Sequence, residues 1–322
     1  MLFRSGSGLF HKPNPEPIQL TAGPSDIVAP LPSRDGKRLF VMGYEGRPEL
    51  VRYDARGQQF IPLFSGIQTI YPDFSRDGQW VAYKKEPEMT IWRSKVDGTD
   101  RRQLSFAPLF ATLPHWSPDG KQIAFLGQAP GASFKIYIVP SEGGNTERLE
   151  TGEFIATDPT WSGDGSALAW SDAYWGSSPE ARKKSAIHMI NLKTRQVSTL
   201  PGPAGLLSPH WSPDGRYLAA ASADSEKLLL YDFETKQWGD LAKITVGYWT
   251  WSADSRYVYA HTTGPDSAVV RVNIGDHKIE PVVSLKDYRT NRPWCGLTPD
   301  GSPLLLHELG TAEIYALDWE AP

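Results

Sequence analysis

Histidine and aspartate are the side chains in this sequence best suited to acid–base or metal chemistry. The chain of 322 residues has seven histidines and one cysteine. No two histidines stand at the spacing of metal ligands, although a repeated fold could bring some of them together in space. The histidines are His11, His115, His188, His210, His261, His277 and His307.

Signatures of known catalytic sites are missing from the sequence. It contains no Gly-x-Ser-x-Gly elbow and no His-Glu-x-x-His motif. Residues 5–8 have the Gly/Ser composition of a flexible linker and lack the Gly-Lys-Ser/Thr of a phosphate loop. Because Cys295 is the single cysteine, an internal disulfide and a cysteine-based metal site are excluded. We therefore predict no catalytic residue, no metal and no cofactor, and we expect a protein that is not an enzyme.

Aspartate recurs in a Ser-x-Asp-Gly turn, and this repeat determines the predicted architecture. Glycine accepts a positive φ, and aspartate can bond the backbone of its own turn, so each copy predicts a tight hairpin and a structural aspartate. Successive aspartates are 40 to 50 residues apart. The copies are residues 33–36, 75–78, 117–120, 162–165 and 212–215, followed by two degenerate copies at 252–255 and 298–301.

Each turn lies between short apolar segments typical of strands. A strand that ends in an aromatic residue precedes the turn, a second apolar strand follows it, and a third strand and a more polar fourth strand complete the unit. In the third copy these are residues 113–116, 123–125, 136–139 and 147–149. A polar outer strand discourages pairing with other chains. The period predicts an all-β fold, a seven-bladed β-propeller of four-stranded antiparallel blades.

The seventh unit lacks a fourth strand, and residues 17–21 supply a spare one. This segment resembles the fourth strand at residues 102–105, so we predict that an N-terminal strand completes the last blade and closes the ring. The alternative is a disordered tail and an open ring, which would expose two apolar blade faces. The predicted domains are a flexible lead-in or linker remnant at 1–14 and the propeller at 15–322.

Residues that face the central channel can be located from the repeat. Strand side chains alternate, so the positions two and four residues before each turn share one side, opposite the Trp and Pro positions. They could hold a cation or a small ligand, or they could bond water and neighbouring backbone, which is the interpretation we favour. The predicted channel-mouth residues are Tyr71, Asp73, His115, Asp158, Thr160, His210, Tyr248 and Trp294.

A second candidate surface is the lengthened loop of the fourth unit, residues 171–184. Tyr174 and Trp175 stand near the basic residues Arg182, Lys183 and Lys184. Exposed aromatic and basic side chains are typical of interaction patches, although a tolerated surface insertion explains the loop equally well.

Charge and hydropathy restrict the partners. The net charge is −4, and no stretch has the Lys/Arg density of a nucleic-acid-binding surface, so direct nucleic acid binding is not expected. No apolar run reaches the length of a membrane span, and the N-terminus is not a convincing signal peptide.

The Pro-x-Trp-Ser-Pro-Asp-Gly strings at 114–120 and 209–215, with the turn at 96–99 and the strand at 103–105, resemble the repeats of TolB-type propellers. The whole chain, and its ending at 316–322, is similar to C-terminal propellers of bacterial regulators that carry a winged-helix or serine/threonine kinase domain. This resemblance implies a binding or sensor module in signalling or transcription regulation. Its partner would be a protein or peptide, with a small ligand as a further option. It also implies an extracytoplasmic location, with a cytoplasmic one left open. The alternatives are an accessory propeller of a prolyl-oligopeptidase-like hydrolase and a metal-dependent enzyme sited in the channel.

Overall fold

The computed structural model shows a protein built almost entirely of short antiparallel strands. It describes residues 3–8, 11–19, 26–64, 68–152, 154–174, 176–290 and 292–318. Abundant Gly-containing turns and β-branched or aromatic segments account for this preference for strands. The described residues contain one α-helix, α1 (Pro179–Lys184).

The first fourteen strands are β1 (Phe3–Gly8), β2 (His11–Gln19), β3 (Asp26–Pro32), β4 (Arg38–Glu45), β5 (Pro48–Asp54), β6 (Gln59–Pro62), β7 (Thr69–Phe74), β8 (Trp80–Lys85), β9 (Thr90–Lys95), β10 (Arg102–Gln103), β11 (Phe110–Trp116), β12 (Gln122–Gln128), β13 (Lys135–Pro140) and β14 (Glu147–Arg148). The remaining strands are β15 (Thr157–Trp161), β16 (Ala167–Ser171), β17 (Ile187–Asn191), β18 (Val197–Thr199), β19 (Leu206–Trp211), β20 (Tyr217–Ser222), β21 (Leu228–Asp232), β22 (Gln237–Ala242), β23 (Val246–Trp251), β24 (Tyr257–Thr262), β25 (Ala268–Asn273), β26 (Ile279–Ser284), β27 (Cys295–Leu297), β28 (Pro303–Glu308) and β29 (Thr311–Asp318).

Contacts divide the chain into two compact units, and the larger one, Glu49–His307, carries six four-stranded sheets. Five of them are continuous in sequence: β7 to β10, β11 to β14, β15 to β18, β19 to β22 and β23 to β26. The sixth has the order β27-β28-β5-β6 and so combines strands from distant parts of the chain. The short polar strands β10, β14 and β18 lie on outer edges, as predicted.

The six sheets form a closed ring within this unit. The first strand of the sixth sheet, β27, contacts both β23 and β7. At this junction the rings of Tyr71 and Trp294 have centroids 6.1 Å apart, and Arg292 forms an ion pair of 3.1 Å with Glu86. The first strands of the six sheets therefore surround a central channel, which is the arrangement of propeller blades.

The ends of the chain form the other unit, Met1–Pro48 with Glu308–Pro322. Its three-stranded sheet has the order β29-β4-β3, and β1 pairs with β2 in a separate hairpin. The first Ser-x-Asp-Gly turn joins β3 to β4 here, and the other six turns each join the first two strands of a ring sheet. The all-β fold with seven antiparallel sheets built on the repeat is thus confirmed: six have four strands and form the ring, and the seventh, with three strands, lies in the other unit.

The prediction that residues 17–21 supply the missing strand of the last blade is wrong. In the structure, residues 17–19 lie in β2 and pair with β1, while residues 20 and 21 are outside the described residues. The sheet with β27 and β28 is completed by β5 and β6, and β29 pairs with β4. The physical reason is burial: β5 places Leu50 in one core cluster with Leu304 and Leu306, and Val51 in another with Leu305. The predicted domain boundary at residue 14 stays a prediction.

Neighbouring ring sheets are joined by tryptophans at the end of the first strand. The indole N–H of Trp116 donates to the carbonyl oxygen of Asp73 at 3.0 Å, and that of Trp161 to His115 at 3.0 Å. Trp251 repeats this bond to His210 at 2.9 Å. These rings lie between sheets, as predicted, and fix the spacing of the strands that line the channel.

Candidate functional site

The repeated aspartates are held inside their own turns. In the fourth copy, the hydroxyl of Ser162 donates to Oδ1 of Asp164 at 2.6 Å, and the same oxygen accepts the N–H of Ser166 at 3.0 Å. These bonds lower the pKa of Asp164 to about 2. The same Ser/Thr-to-Asp bond occurs in all seven copies. The geometry supports a turn-forming role for these carboxylates.

The turns lie at one end of the channel, around a cavity of about 940 Å³. Five of the six turns of the ring contribute to its lining. Arg76, from the first ring turn, reaches across and donates to the carbonyl oxygens of Pro213 at 2.7 Å and Gly163 at 3.2 Å. We call this end the mouth.

Seven of the eight predicted channel residues line this cavity. Asp158 is the exception: it is buried, and its carboxylate accepts a hydrogen bond from the Ser208 hydroxyl. Whether any of them binds a ligand stays a prediction. The seven are Tyr71, Asp73, His115, Thr160, His210, Tyr248 and Trp294.

A β-bulge separates the two predicted positions and breaks the simple alternation of side chains. The register shifts between Thr157 and Thr160, and the equivalent shift occurs in three of the other continuous ring sheets. In β23 the shift comes earlier, between Val246 and Tyr248. Four of the bulges have a non-glycine residue with positive φ immediately before proline: Tyr71 (54°), Leu113 (49°), Asp158 (46°) and Ser208 (48°). The bulge interrupts the alternation at Asp158, the one predicted residue that is not in the lining of the cavity.

Two of the predicted residues bond the backbone of the next sheet. Oδ2 of Asp73 accepts the N–H of Trp116 at 2.7 Å, and the hydroxyl of Thr160 accepts the N–H of Trp211 at 3.0 Å. Burial raises the pKa of Asp73 to about 7, although the hydrogen bond from Trp116 opposes this rise. Both side chains therefore have a structural role in joining sheets.

The two channel histidines contact each other and are held neutral. The rings of His115 and His210 meet edge to face with centroids 6.2 Å apart. Burial lowers the pKa of His115 to about 4, and burial together with the nearby His115 lowers that of His210 to about 3. At neutral pH both are uncharged imidazoles with a donor and an acceptor nitrogen.

Asp158 has a carboxylate that is only half satisfied. Its Oδ2 accepts a hydrogen bond from the Ser208 hydroxyl, while Oδ1 is buried with no hydrogen-bond partner among the described residues. Burial raises the pKa of Asp158 to about 6. The Tyr248 hydroxyl is also buried and unpartnered, and burial followed by the charge of Asp158 raises its pKa.

Metal and thiol chemistry find little support in the part of the chain that the structure describes. No group of three or more His, Cys, Asp and Glu side chains converges there as metal ligands would. Cys295 is buried, and burial raises its pKa to about 12, so its thiol is not poised as a nucleophile.

The predicted loop surface is partly described. Tyr174 is 42 % exposed, whereas Trp175 lies outside the described residues. The helix α1 follows, with Ser178 capping its N-terminus through the N–H of Ala181 and basic residues in its last turn. An interaction role for this loop stays a prediction.

A polar network at the base of this loop was not predicted. His188 lies between Asp172 and Thr199, with ring nitrogens 3.0 Å from Asp172 Oδ2 and 3.1 Å from Thr199 Oγ1. The Phe154 ring stacks on the imidazole with centroids 4.2 Å apart. Pairing of β16, β17 and β18 brings these residues together, so their separation in sequence gave no signal. The network anchors the loop, because Asp172 also accepts the N–H of Ala186 at 2.9 Å.

Comparison with known proteins supports the propeller assignment. The sequence profile of a family described as "TolB beta propeller domain" matches residues 47–179. The chain is also 28 % identical, over 87 residues, to an uncharacterized protein of Agrobacterium fabrum. That alignment covers 24 % of this chain and 30 % of the relative, so this chain spans less than a third of the relative's length.

Two solved structures are similar in fold. The structure of a putative TolB from Agrobacterium tumefaciens superposes with a TM-score of 0.67 at 16 % identity and covers 82 % of this chain and 99 % of that one. TolB from Acinetobacter baumannii has a TM-score of 0.61 at 17 % identity and covers 81 % of this chain and 66 % of that one. At such identities the similarity to these structures establishes a shared β-propeller fold alone.

No helix among the described residues is long and apolar enough to cross a membrane.

Proposed function

We propose that this chain is a non-enzymatic docking module that binds a protein or peptide at the mouth of its channel. The observation that carries the proposal is the cavity of about 940 Å³, whose rim is made of rigid, hydrogen-bonded turns. TolB-like propellers are in general protein-binding modules. A concave site on a rigid scaffold loses little entropy when it binds, which suits a docking surface.

The rim offers both apolar and charged contacts to a partner. Exposed Ala253 and Pro299 alternate around the mouth with the basic Arg76 and Arg256. The carboxylates of the turns accept bonds from their own serines and backbone, so they stabilise the rim and are poorly placed for acid–base catalysis.

The setting we propose is a bacterial signalling or regulatory system with the propeller outside the cytoplasmic membrane. This part of the proposal rests on the resemblance to regulator-associated propellers. Fusing the chain with its natural upstream reading frame to a reporter that is active only outside the cytoplasm tests the compartment. Reporter activity is expected, and its absence, with the fusion present in the cell, counts against this setting.

The docking role is tested by site-specific photo-crosslinking in the native host. A photoreactive residue replaces Ala253 at the mouth or, as the control, Glu226 in the turn between β20 and β21, at the other end of its sheet. We expect discrete crosslinked products, identified by mass spectrometry, from position 253 and none from position 226. Identical products at both positions, or none at either in the folded protein, would refute docking at the mouth.

A further inference from the structure

Three buried polar atoms, each without a hydrogen-bond partner among the described residues, belong to neighbouring strands around the channel. They are Oδ1 of Asp158, Nε2 of His210 and the hydroxyl oxygen of Tyr248. They come from the first strands of three consecutive sheets, β15, β19 and β23. Asp158 and His210 are 6 % and 8 % exposed. Leaving such groups unpaired costs free energy, so each of the three is available to a hydrogen-bond donor of a ligand.

The hydrogen bonds around this chamber show that all three atoms can accept. Ser208 donates to the other oxygen of Asp158 and orients its carboxylate. His210 is a neutral imidazole with one donor and one acceptor nitrogen, and its Nε2 has no partner among the described residues. In the tautomer protonated at Nδ1, Nε2 carries the acceptor lone pair. The Tyr248 oxygen supplies a third acceptor.

Aromatic rings form the walls of the same chamber. The Tyr248 ring lies 5.0 Å from that of His210 and 6.3 Å from that of Trp294, centroid to centroid. The Tyr71 ring completes this side at 6.1 Å from Trp294. Aromatic faces attract cations, most strongly where water is displaced.

The charge balance of the chamber also favours a cation. Among the described residues, neither Asp158 nor Asp73 takes part in an ion pair, and Arg292, beside Tyr71, pairs with Glu86. Burial without a counter-charge raises the pKa of Asp158, which means that the carboxylate is stabilised when a cation enters. A metal ion would need more carboxylates than converge here.

We propose that this chamber, formed by Asp158, Ser208, His210 and Tyr248 against Trp294, is a binding site for a small primary amine in its ammonium form. A primary ammonium has three N–H donors for the three acceptors and one positive charge for the carboxylate. Its alkyl group extends toward the aromatic walls and the cavity. The site lies deeper than the turns at the mouth, and it does not depend on the docking role.

Isothermal titration of the full chain with n-butylammonium chloride tests the proposal. Two comparison probes separate its parts: n-butanol has the same chain without the charge, and tetramethylammonium has the charge without N–H donors. We expect one n-butylammonium per chain, bound at least tenfold more tightly than either comparison probe. Equal binding of n-butanol or of tetramethylammonium overturns the assignment to a primary ammonium. No binding of any probe to the folded protein overturns the site, because water then satisfies the three atoms.

Variants locate the site. Asp158→Asn keeps the shape and the oxygen but removes the charge, so n-butylammonium affinity is expected to fall at least tenfold. Asp240→Asn is the matched control, since Asp240 is 65 % exposed and pairs with Lys227. Tyr248→Phe keeps the ring and removes one acceptor, with an expected loss of about threefold or more. If Asp158→Asn does not fold, Tyr248→Phe decides, and unchanged affinity in a folded chamber variant overturns the location.

Discussion

The Asp73 carboxylate accepts the backbone N–H of Trp116 at 2.7 Å, and the Trp116 indole N–H donates to the carbonyl oxygen of Asp73 at 3.0 Å. These two hydrogen bonds, both donated by Trp116, join the first two ring sheets at the wall of the channel. Because burial raises the pKa of Asp73 to about 7, the carboxyl also links the stability of the ring to pH.

Replacing Asp73 by asparagine should stabilise the protein at alkaline pH. The folded pKa lies above the unfolded value of 3.8, so the wild type loses stability as pH rises from about 4 to about 7. Asparagine keeps an oxygen for Trp116 and does not ionise. Urea unfolding is expected to show Asp73→Asn more stable than wild type at pH 8, with a gap that shrinks toward pH 4.

The matched control for Asp73 is an exposed turn aspartate. The hydrogen bond from Ser117 lowers the pKa of Asp119, so its carboxylate stabilises the fold above the unfolded pKa. Asp119→Asn should therefore be slightly less stable than wild type at pH 8, by less than about 1 kcal/mol on the surface. A variant Asp73→Asn that is less stable than wild type at pH 8, or whose gap does not change with pH, would contradict the assignment.

The buried channel histidines should lower stability as pH falls, whereas Asp73 lowers it as pH rises. Burial lowers the pKa of His115 from 6.5 to about 4, so the stability of the neutral ring is present above pH 6.5 and is lost as pH falls toward 4. His115→Gln removes this loss, worth on the order of 2 kcal/mol near pH 4.5. Chemical unfolding between pH 4.5 and 7 should show a flatter profile for His115→Gln than for wild type. Replacing the exposed His277 serves as the control and should leave the profile of wild type unchanged. A His115→Gln profile as steep as that of wild type would contradict the prediction.

Gly163 should tolerate no side chain, because two turns touch at this point. A Cβ on Gly163 would lie 2.6 Å from the backbone of Gly215, in the next ring turn. Gly163→Ala is expected to destabilise the protein by about 1–3 kcal/mol, the usual cost of overpacking. The sixth copy of the turn already has Ala253 at the equivalent position, and Ala253→Gly should be nearly neutral. Thermal unfolding measures both, and equal small effects would contradict a close turn contact.

Arg76 should limit entry into the channel. It is exposed and crosses the mouth to the carbonyl oxygens of Pro213 and Gly163, so Arg76→Ala is expected to change the unfolding free energy by less than about 0.5 kcal/mol. Loss of the bridge and of its positive charge should raise the association rate of n-butylammonium by about two- to tenfold. Stopped-flow tryptophan fluorescence measures the rate. The association rate of Arg76→Lys, which keeps the charge, should lie between those of wild type and Arg76→Ala. An unchanged rate in Arg76→Ala would show that Arg76 does not control access through the mouth.

The sequence predicts the sheets well because their information is local. Each turn, such as residues 117–120, specifies a hairpin through Ser117 and Asp119, and the flanking apolar segments pair as neighbours. The position of the channel residues follows from the same period. His115 and His210 are therefore both among the predicted channel residues and in the lining of the cavity.

Ring closure was not predictable in the same way, because it depends on which distant segments pair. Residues 17–21 and β5 both have the length of a strand. The signal for β5 was apolar character on both faces, at Leu50 and Val51, which suits a middle strand in a sheet packed on both sides. The bulge at Asp158 also had a signal in the sequence, the proline that follows this residue.

The central claim is that the centre of the ring is a ligand site. A crystal structure of the chain soaked with n-butylammonium tests this claim most directly. The account predicts the ammonium nitrogen within hydrogen-bond distance of Asp158 Oδ1, His210 Nε2 and the Tyr248 hydroxyl, with the alkyl chain against Trp294. Density for water alone at these three atoms, with the amine absent or bound elsewhere, would contradict it.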